Sequence, residues 1–172
     1  MRIIRTFGYH SVQCHSNRNY MTTQKLGKQI LILGMALVLA GLVWGLAVPH
    51  TPFPRLALTA HVQFESNGML IIILAILLIA FPHRVGTKSA LVMLLAAWLT
   101  WLMALSEVAN SWWGTNQLLP IAAGQAGATG GAAWQETVIK VTHIGSGLAL
   151  IVAWVLLIAG FVMHSAEKSP TK

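Results

Sequence analysis

The sequence is short of charged residues, and acids are scarcer than bases. Only 9% of its 172 residues are charged, whereas a soluble domain carries about 25%. The chain has no aspartate and only four acidic residues, against eleven lysines and arginines. With 56% hydrophobic residues and a mean hydropathy of +0.68, this composition excludes an ordinary cytosolic enzyme. It also excludes an intrinsically disordered chain, which requires low hydrophobicity.

Several kinds of site are absent as well. The single cysteine, Cys14, excludes a disulfide framework and a cysteine-rich metal site. The sequence contains no phosphate-binding loop, no zinc-ligand spacing and no serine–histidine–acid set. The formal charge of +7 is not gathered on a soluble module, so nucleic acid is excluded as a partner. What remains is a small integral membrane protein with one domain.

Four apolar segments predict the fold class: an all-α integral membrane protein built as a four-transmembrane-helix bundle. The segments cover about 29–48, 55–81, 89–108 and 134–163. The second is free of charge only over 68–81, so it spans a bilayer only if its helix begins near Arg55. The stretch 114–133 is uncharged and rich in glycine and alanine, and it is predicted to be a loop.

The chain divides into a polar tail at 1–24, a four-helix membrane domain at 25–164 and a tail at 165–172. Met21 is a candidate for the natural start, with 1–20 either untranslated or a non-functional tail. Basic residues outside the spans lie mostly on one side, at Arg2, Arg5, Arg18, Lys25, Lys28, Arg84, Lys88, Lys168 and Lys172. By the positive-inside rule both termini are cytoplasmic (N-in, C-in). A bacterial inner membrane is the expected location.

Polar residues gather at the opposite end of the predicted bundle, in the outer half of the membrane. They are His61, Gln63, Glu65, Asn67, Glu107, Asn110, Glu136, Lys140 and His143. Ionisable groups at membrane depth are costly and usually face a cavity or the bundle interior. Helical spacing puts His61 and Glu65 on one face of the second helix, and Gln63 and Asn67 on another. Glu136, Lys140, His143 and Gly147 share one face of the last helix.

Some of these residues also have purely structural explanations. A single intramembrane histidine such as His61 is often a hydrogen-bonded packing residue. Glu136 and Lys140 are spaced for an ion pair at a helix end, which would offset the cost of both charges. Glu65 is close enough to the interface to reach water.

The tryptophans, glycines and one arginine near this end have similar explanations. Trp112, Trp113 and Trp134 are typical of an interfacial aromatic belt, and Arg55 is typical of an interfacial anchor. Gly145 and Gly147 predict close packing of the last helix against a neighbour.

Two motifs resemble a known family. Residues 54–61 read P-R-L-A-L-T-A-H and are followed, five residues later, by N-G-M at 67–69. This stretch resembles the opening of the second helix in the hydroxylaminobenzene mutases, which are small four-helix membrane isomerases. W-G-T-N at 113–116, L-P-I-A-A-G at 119–124 and then Glu136 resemble the segment before that family's fourth helix. The resemblance covers about 26–161.

The A-H-x5-N-G-M core is also similar to styrene oxide isomerases, which have the same size and four helices. Those enzymes bind haem b through that histidine and form trimers. Two departures stand out. Gln63 occupies a position where the mutases carry an acid, and Trp112, Trp113 and Gly114 lie where styrene oxide isomerases carry a catalytic tyrosine. The only tyrosines, Tyr9 and Tyr20, lie in the tail, so a mutase-type activity is favoured over an epoxide isomerase.

The resemblance implies an intramolecular rearrangement of an aryl hydroxylamine to an ortho-aminophenol, with haem b as cofactor. His61 would be the axial ligand of the haem iron, and Asn67 would donate a hydrogen bond to the departing oxygen. Because Asn67 points away from His61 on the same helix, each haem is expected to be shared between neighbouring subunits. A ring-shaped homo-oligomer follows from that sharing, and the resemblance to styrene oxide isomerases implies a trimer. The expected substrate is a small aromatic molecule that arrives through the lipid bilayer.

The other polar residues have two possible roles. Glu107, Asn110, Glu136 and His143 would move protons while the ring regains aromaticity, or would bind haem propionates together with Arg55 and Lys140. Gln63, Glu65 and Trp113 are further candidates.

Other functions stay open at this point. His61 and His143 could clamp one haem between them in an electron-transfer protein, or glutamate and histidine could catalyse an isomerisation without haem. A non-enzymatic membrane subunit is a further alternative.

Overall fold

The structure is a computed structural model that describes the backbone of residues 4–167 and the side chains of residues 21–166. Its helices are α1 (Ile4–Ala47), α2 (Pro54–Ala80), α3 (Thr87–Trp113), α4 (Pro120–Ala126) and α5 (Ala133–Glu167), and a 3-10 turn at Val48–His50 follows α1. Within the described residues there is no strand. Four of these helices, α1, α2, α3 and α5, are long and apolar enough to cross a membrane.

The prediction of an all-helical chain with four such helices is therefore confirmed. The helix α2 begins at Pro54, as the short charge-free run required. The predicted loop at 114–133 differs, because it contains α4. Pro120 suits the first turn of a helix, and Gly127, with a φ of 70°, ends it. The predicted tails at 1–24 and 165–172 fall mostly on side chains outside the described range.

Helices α1 and α2 pack closely because glycine lies where they touch. A Cβ atom at Gly68 would lie 2.6 Å from Val38 Cγ2 and 3.1 Å from the backbone oxygen of Gly34. A Cβ at Gly41 would lie 2.8 Å from the Cβ of Phe64. Small residues at a helix contact let the two backbones approach closely, so α1 and α2 are in close van der Waals contact along this line.

Helix α3 packs against α5 with the help of hydroxyl groups. The hydroxyls of Ser106 and Thr142 lie 2.8 Å apart, and Ser146 Oγ donates to the carbonyl of Leu99 at 2.7 Å. The prediction that Gly145 and Gly147 allow close packing is wrong within this chain. A Cβ atom at either position would meet nothing within 4 Å, because α5 turns these glycines away from α3.

The segment between α3 and α5 folds over one end of the bundle. Ala122, Ala123 and Ala128 form a small apolar core with Leu56 at the start of α2. Gly114 ends α3 with a φ of 64°, and Phe53 packs so closely there that a Cβ would lie 2.6 Å from its ring. We call residues 114–132 the cap. It closes the end of the bundle where α2 begins and α3 ends.

A candidate active site beneath the cap

Glu107 is the centre of a polar cluster inside the bundle. Its side chain is fully buried, with 0% of its surface exposed. Its Oε1 atom lies 3.0 Å from His143 Nε2 on α5. Its Oε2 atom lies 3.2 Å from Thr59 Oγ1 on α2 and 3.4 Å from its neighbour Asn110 Nδ2. Side chains from α2, α3 and α5 therefore converge on one buried carboxylate, as ionisable groups at membrane depth require.

The imidazole of His143 links this carboxylate to α2. Its Nδ1 lies 2.9 Å from the carbonyl of Ile139, and a carbonyl only accepts, so Nδ1 carries a proton. Its Nε2 lies 3.0 Å from Gln63 Nε2 as well as from Glu107. The Glu107 contact has the distance of an ion pair but not the alignment of a hydrogen bond. With Nδ1 protonated, Nε2 accepts from the Gln63 amide and lies within ion-pair distance of Glu107.

Asn110 connects the cluster to the cap. Its Oδ1 accepts from the backbone N–H of Thr115 at 2.9 Å and from the hydroxyl of Thr115 at 2.6 Å. Asn110 is 0% exposed and Thr115 is 1% exposed. The side of the Glu107 cluster that faces the cap is consequently closed to water.

Glu136 fixes the cap and does not touch the cluster. Its Oε1 accepts from the backbone N–H groups of Asn116 at 2.9 Å and Gly131 at 3.1 Å, and its Oε2 accepts from that of Gln117 at 3.2 Å. The ion pair expected with Lys140 is not formed within 4.0 Å among the described side chains. Lys140 Nζ donates to Gln117 Oε1 instead, because the cap amides take up the carboxylate.

Arg55 also holds the cap. Its Nε donates to Gln125 Oε1 at 2.6 Å. The partners of Arg55 and Lys140 are neutral amides, so neither cationic charge is neutralised by those bonds.

His61 lies on a different side of α2, against α1. Its Nδ1 is 2.8 Å from the carbonyl of Gly41, and a Cβ at Gly45 would lie 3.0 Å from its Cε1. Its Nε2 is 3.6 Å from Glu65 Oε1, and the two side chains are 24% and 31% exposed. His61 and Glu65 thus share a face, as predicted. Gln63 reaches α5 from another face, so His61 and His143 cannot clamp one iron within a single chain.

The remaining candidates lie at the edges of this arrangement. Asn67 is half-buried and makes no hydrogen bond with the described residues. The ring of Trp113 packs edge-on against Trp134, with centroids 5.0 Å apart.

Two contacts were missed by the sequence analysis. Thr59, which touches Glu107, belongs to the same P-R-L-A-L-T-A-H stretch and lies two residues before His61. Its position in that motif was the available signal. Gln125, the partner of Arg55, carries no signal in a glycine- and alanine-rich segment.

Comparison with known proteins decides which family this architecture represents. The family model described as "Styrene oxide isomerase" matches residues 26–162, all four long helices and the cap. The chain belongs to the styrene oxide isomerase family. The chain is also 32% identical over 150 residues to "Hydroxylaminobenzene mutase HabB" of Ectopseudomonas oleovorans, covering 86% of this chain and 88% of that one.

A second relative is "Hydroxylaminobenzene mutase HabA" of the same organism, 33% identical over 94 residues, covering 54% of this chain and 68% of that one. No solved structure gives a significant match. As a member of the styrene oxide isomerase family, the protein is an isomerase or mutase, and four of its helices are long and apolar enough to cross a membrane.

Proposed function

We propose that the protein rearranges an aryl hydroxylamine to an ortho-aminophenol inside the membrane. The buried cluster around Glu107 and His143 carries the proposal, because it is the place where a sealed, apolar bundle holds groups able to move protons. The mutase relatives support this choice over an epoxide substrate. In the reaction the N–O bond breaks and the oxygen bonds to the ortho carbon. A proton leaves that carbon and one returns to nitrogen, so the composition does not change.

The Glu107–His143 pair is suited to the proton transfers. His143 Nε2 lies 3.0 Å from Glu107 Oε1, so a proton taken up by the pair remains within a neutral ion pair. A pair of this kind accepts the ring proton and returns it to nitrogen. Asn110 and Thr59 orient the carboxylate, and Glu136 positions the cap that excludes water. Exclusion of water matters because a trapped water would attack the ring in competition.

The residues fit haem b as cofactor. The Nδ1–H of His61 is anchored on the carbonyl of Gly41, so Nε2 is the atom that would bind iron, and Glu65 Oε1 lies 3.6 Å from it in this structure. The ring rests in the space that a side chain at Gly45 would fill. When bound, ferric haem supplies a Lewis acid that weakens the N–O bond. Arg55 and Lys140, whose hydrogen-bond partners are neutral amides, offer cationic groups for the propionates.

Asn67 is proposed to donate a hydrogen bond to the departing oxygen at a site completed by the neighbouring subunit. Its helix face differs from that of His61, and its amide has no partner among the described residues. The side chains of His61 and Glu65 are 24% and 31% exposed on the outer surface of one chain. Polar groups at membrane depth are costly unless another protein surface buries them. A homo-oligomer, a trimer, provides that surface.

The proposed orientation puts both termini in the cytoplasm and the cap on the outer side of a bacterial inner membrane. The excess of lysine and arginine near the termini and in the α2–α3 connection supports it.

The first experiment is the visible spectrum of the purified protein in mild detergent, oxidised and reduced. We expect a five-coordinate ferric haem that is lost in His61→Ala and retained in the matched variant His50→Ala, whose histidine is exposed in the 3-10 turn. A six-coordinate low-spin spectrum would favour a bis-histidine electron carrier. No haem band after reconstitution with hemin would eliminate the Lewis acid. Turnover of hydroxylaminobenzene, with styrene oxide as the competing substrate, then tests the reaction itself.

Sharing between subunits has its own test. His61→Ala and Asn67→Ala are each expected to be inactive. Mixed in equal amounts and reassembled, they should regain about a quarter of the sites if each site takes the two residues from different chains of a closed ring. No recovery would assign both residues to one chain.

A further inference from the structure

An apolar groove runs between α2 and α5, starting about one helical turn from the Gln63–His143 contact. Its volume is about 470 Å³. It is lined by Leu70 on α2 and by Gly147, Leu150, Ile151, Trp154 and Ile158 on α5. Ile151 and Ile158 are 60% and 56% exposed, so the groove opens sideways on the outside of the bundle. We call it the α2–α5 groove.

We propose that the α2–α5 groove binds the aromatic ring of the substrate and admits it from the lipid. The inference rests on the proposed function and specifies how that site takes its substrate. The groove has the size of ordinary small-molecule sites, about 300–1,000 Å³. Its wall is apolar, with an aromatic surface at Trp154. A molecule with one aromatic ring and one polar end matches this wall, provided that polar groups lie at one end of the groove.

Polar groups do lie at that end. Gly147 follows His143 by four residues and Leu70 follows Asn67 by three, so both polar residues are one turn from the groove on the same helix faces. The Oε1 atom of Gln63 is buried and has no hydrogen-bond partner among the described residues. A buried unpaired acceptor is costly, and the N–H of an aryl hydroxylamine would satisfy it. The polar end of the substrate thereby points toward Asn67 and toward His143, whose side chain is 12% exposed, and Glu107 lies behind His143 with 0% exposed.

Entry of the substrate from the aqueous side, or binding in a second groove, agrees less well with the structure. The cap seals the cluster from the aqueous side, since Glu107 and Asn110 are both 0% exposed. A second groove of about 470 Å³ lies between α1 and α3, bordered by Val43 and Trp44. The indole N–H of Trp44 already donates to the carbonyl of Ala57 at 3.0 Å. That groove therefore offers no free polar group to orient a substrate.

Two glycines on α5 provide a matched pair of variants. Gly147 lines the α2–α5 groove and Gly145 does not, and a Cβ at either would meet nothing within 4 Å. Gly147→Leu therefore fills the groove without straining the helix, and Gly145→Leu adds the same side chain outside it. For hydroxylaminobenzene we expect KM to rise about tenfold or more in Gly147→Leu, with a smaller change in kcat. Gly145→Leu should stay within about twofold of the parent protein.

Photolabelling supplies a readout that does not depend on turnover. Phenyl azide, a one-ring apolar probe, is irradiated with the protein in detergent, and the labelled residues are mapped by mass spectrometry. We expect label on 147–158, lost in Gly147→Leu and kept in Gly145→Leu. Label confined to the α1–α3 groove, or equal labelling and equal KM in both variants, would overturn the inference. Normal labelling with no hydroxylaminobenzene turnover in the parent protein would instead refute the proposed function and leave an arene-binding groove.

Discussion

Removal of the Glu136 carboxylate should destabilise the cap. This one side chain accepts three backbone N–H groups, from Asn116, Gln117 and Gly131, at 2.9, 3.2 and 3.1 Å. It is 3% exposed, so water cannot readily replace it. In Glu136→Ala all three donors lose their acceptor at once. In Glu136→Gln the amide oxygen can still serve the two donors now on Oε1, but the new NH₂ group faces the N–H of Gln117.

The size of the effect follows from these bonds. A hydrogen bond to a charged group contributes about 1.5–3 kcal/mol, and a buried donor without a partner costs about 1–3 kcal/mol. Some of the stranded amides in Glu136→Ala will be rehydrated, since Asn116 and Gly131 are partly exposed. We expect the cap to lose about 3–6 kcal/mol in Glu136→Ala and about 2–4 kcal/mol in Glu136→Gln.

The loss should be local, so the assay must report on the cap. Limited proteolysis in detergent, followed by mass spectrometry, measures cleavage within 114–132, and thermal unfolding measures the whole bundle. Gln135→Ala is the matched control, because its side chain accepts a single bond, from the N–H of Ala132, at an exposed position. We expect rapid cleavage in Glu136→Ala, intermediate cleavage in Glu136→Gln and parental resistance in Gln135→Ala. If Glu136→Ala resists cleavage as well as Gln135→Ala does, the carboxylate does not hold the cap.

Three further outcomes follow from the same contacts. Gly68→Leu puts a Cβ 2.6 Å from Val38 Cγ2 and should cost about 1–3 kcal/mol, seen as a lower Tm than that of Gly145→Leu; equal Tm values would contradict the close α1–α2 contact. His143→Ala leaves the buried carboxylate of Glu107 without its imidazole partner, so adding Glu107→Ala to that variant should raise the Tm, and a further fall would argue against the pair. Glu107→Gln keeps the volume but not the proton-accepting group, and should reduce turnover about a hundredfold or more with haem content unchanged; near-parental turnover would remove Glu107 from the proton path.

Much of the site was predictable because helical spacing assigns side chains to faces. His61 and Glu65 meet against α1, and Gln63 reaches α5, as their phases required. Glu107 and Asn110 were expected to face the bundle interior, because polar groups are costly where they meet lipid, and both are buried. The hydrogen-bond partner of each side chain was not predictable, because spacing within one helix does not show how the neighbouring helix is rotated. Glu136 illustrates this, since Lys140 lies one turn away and the carboxylate binds cap amides distant in sequence.

The sequence by itself determined the all-helical class, the four long apolar helices and the end of the bundle where polar groups gather. These follow from hydropathy, charge and period, which are properties of single segments. Only the tertiary structure decided that His61 on α2 packs against α1 and lies apart from His143 on α5. It also decided that the cap contains a helix and seals the Glu107 cluster, and that Gly147 opens onto a groove. The physical reason is that these outcomes depend on how helices rotate and diverge, which close packing between different segments sets.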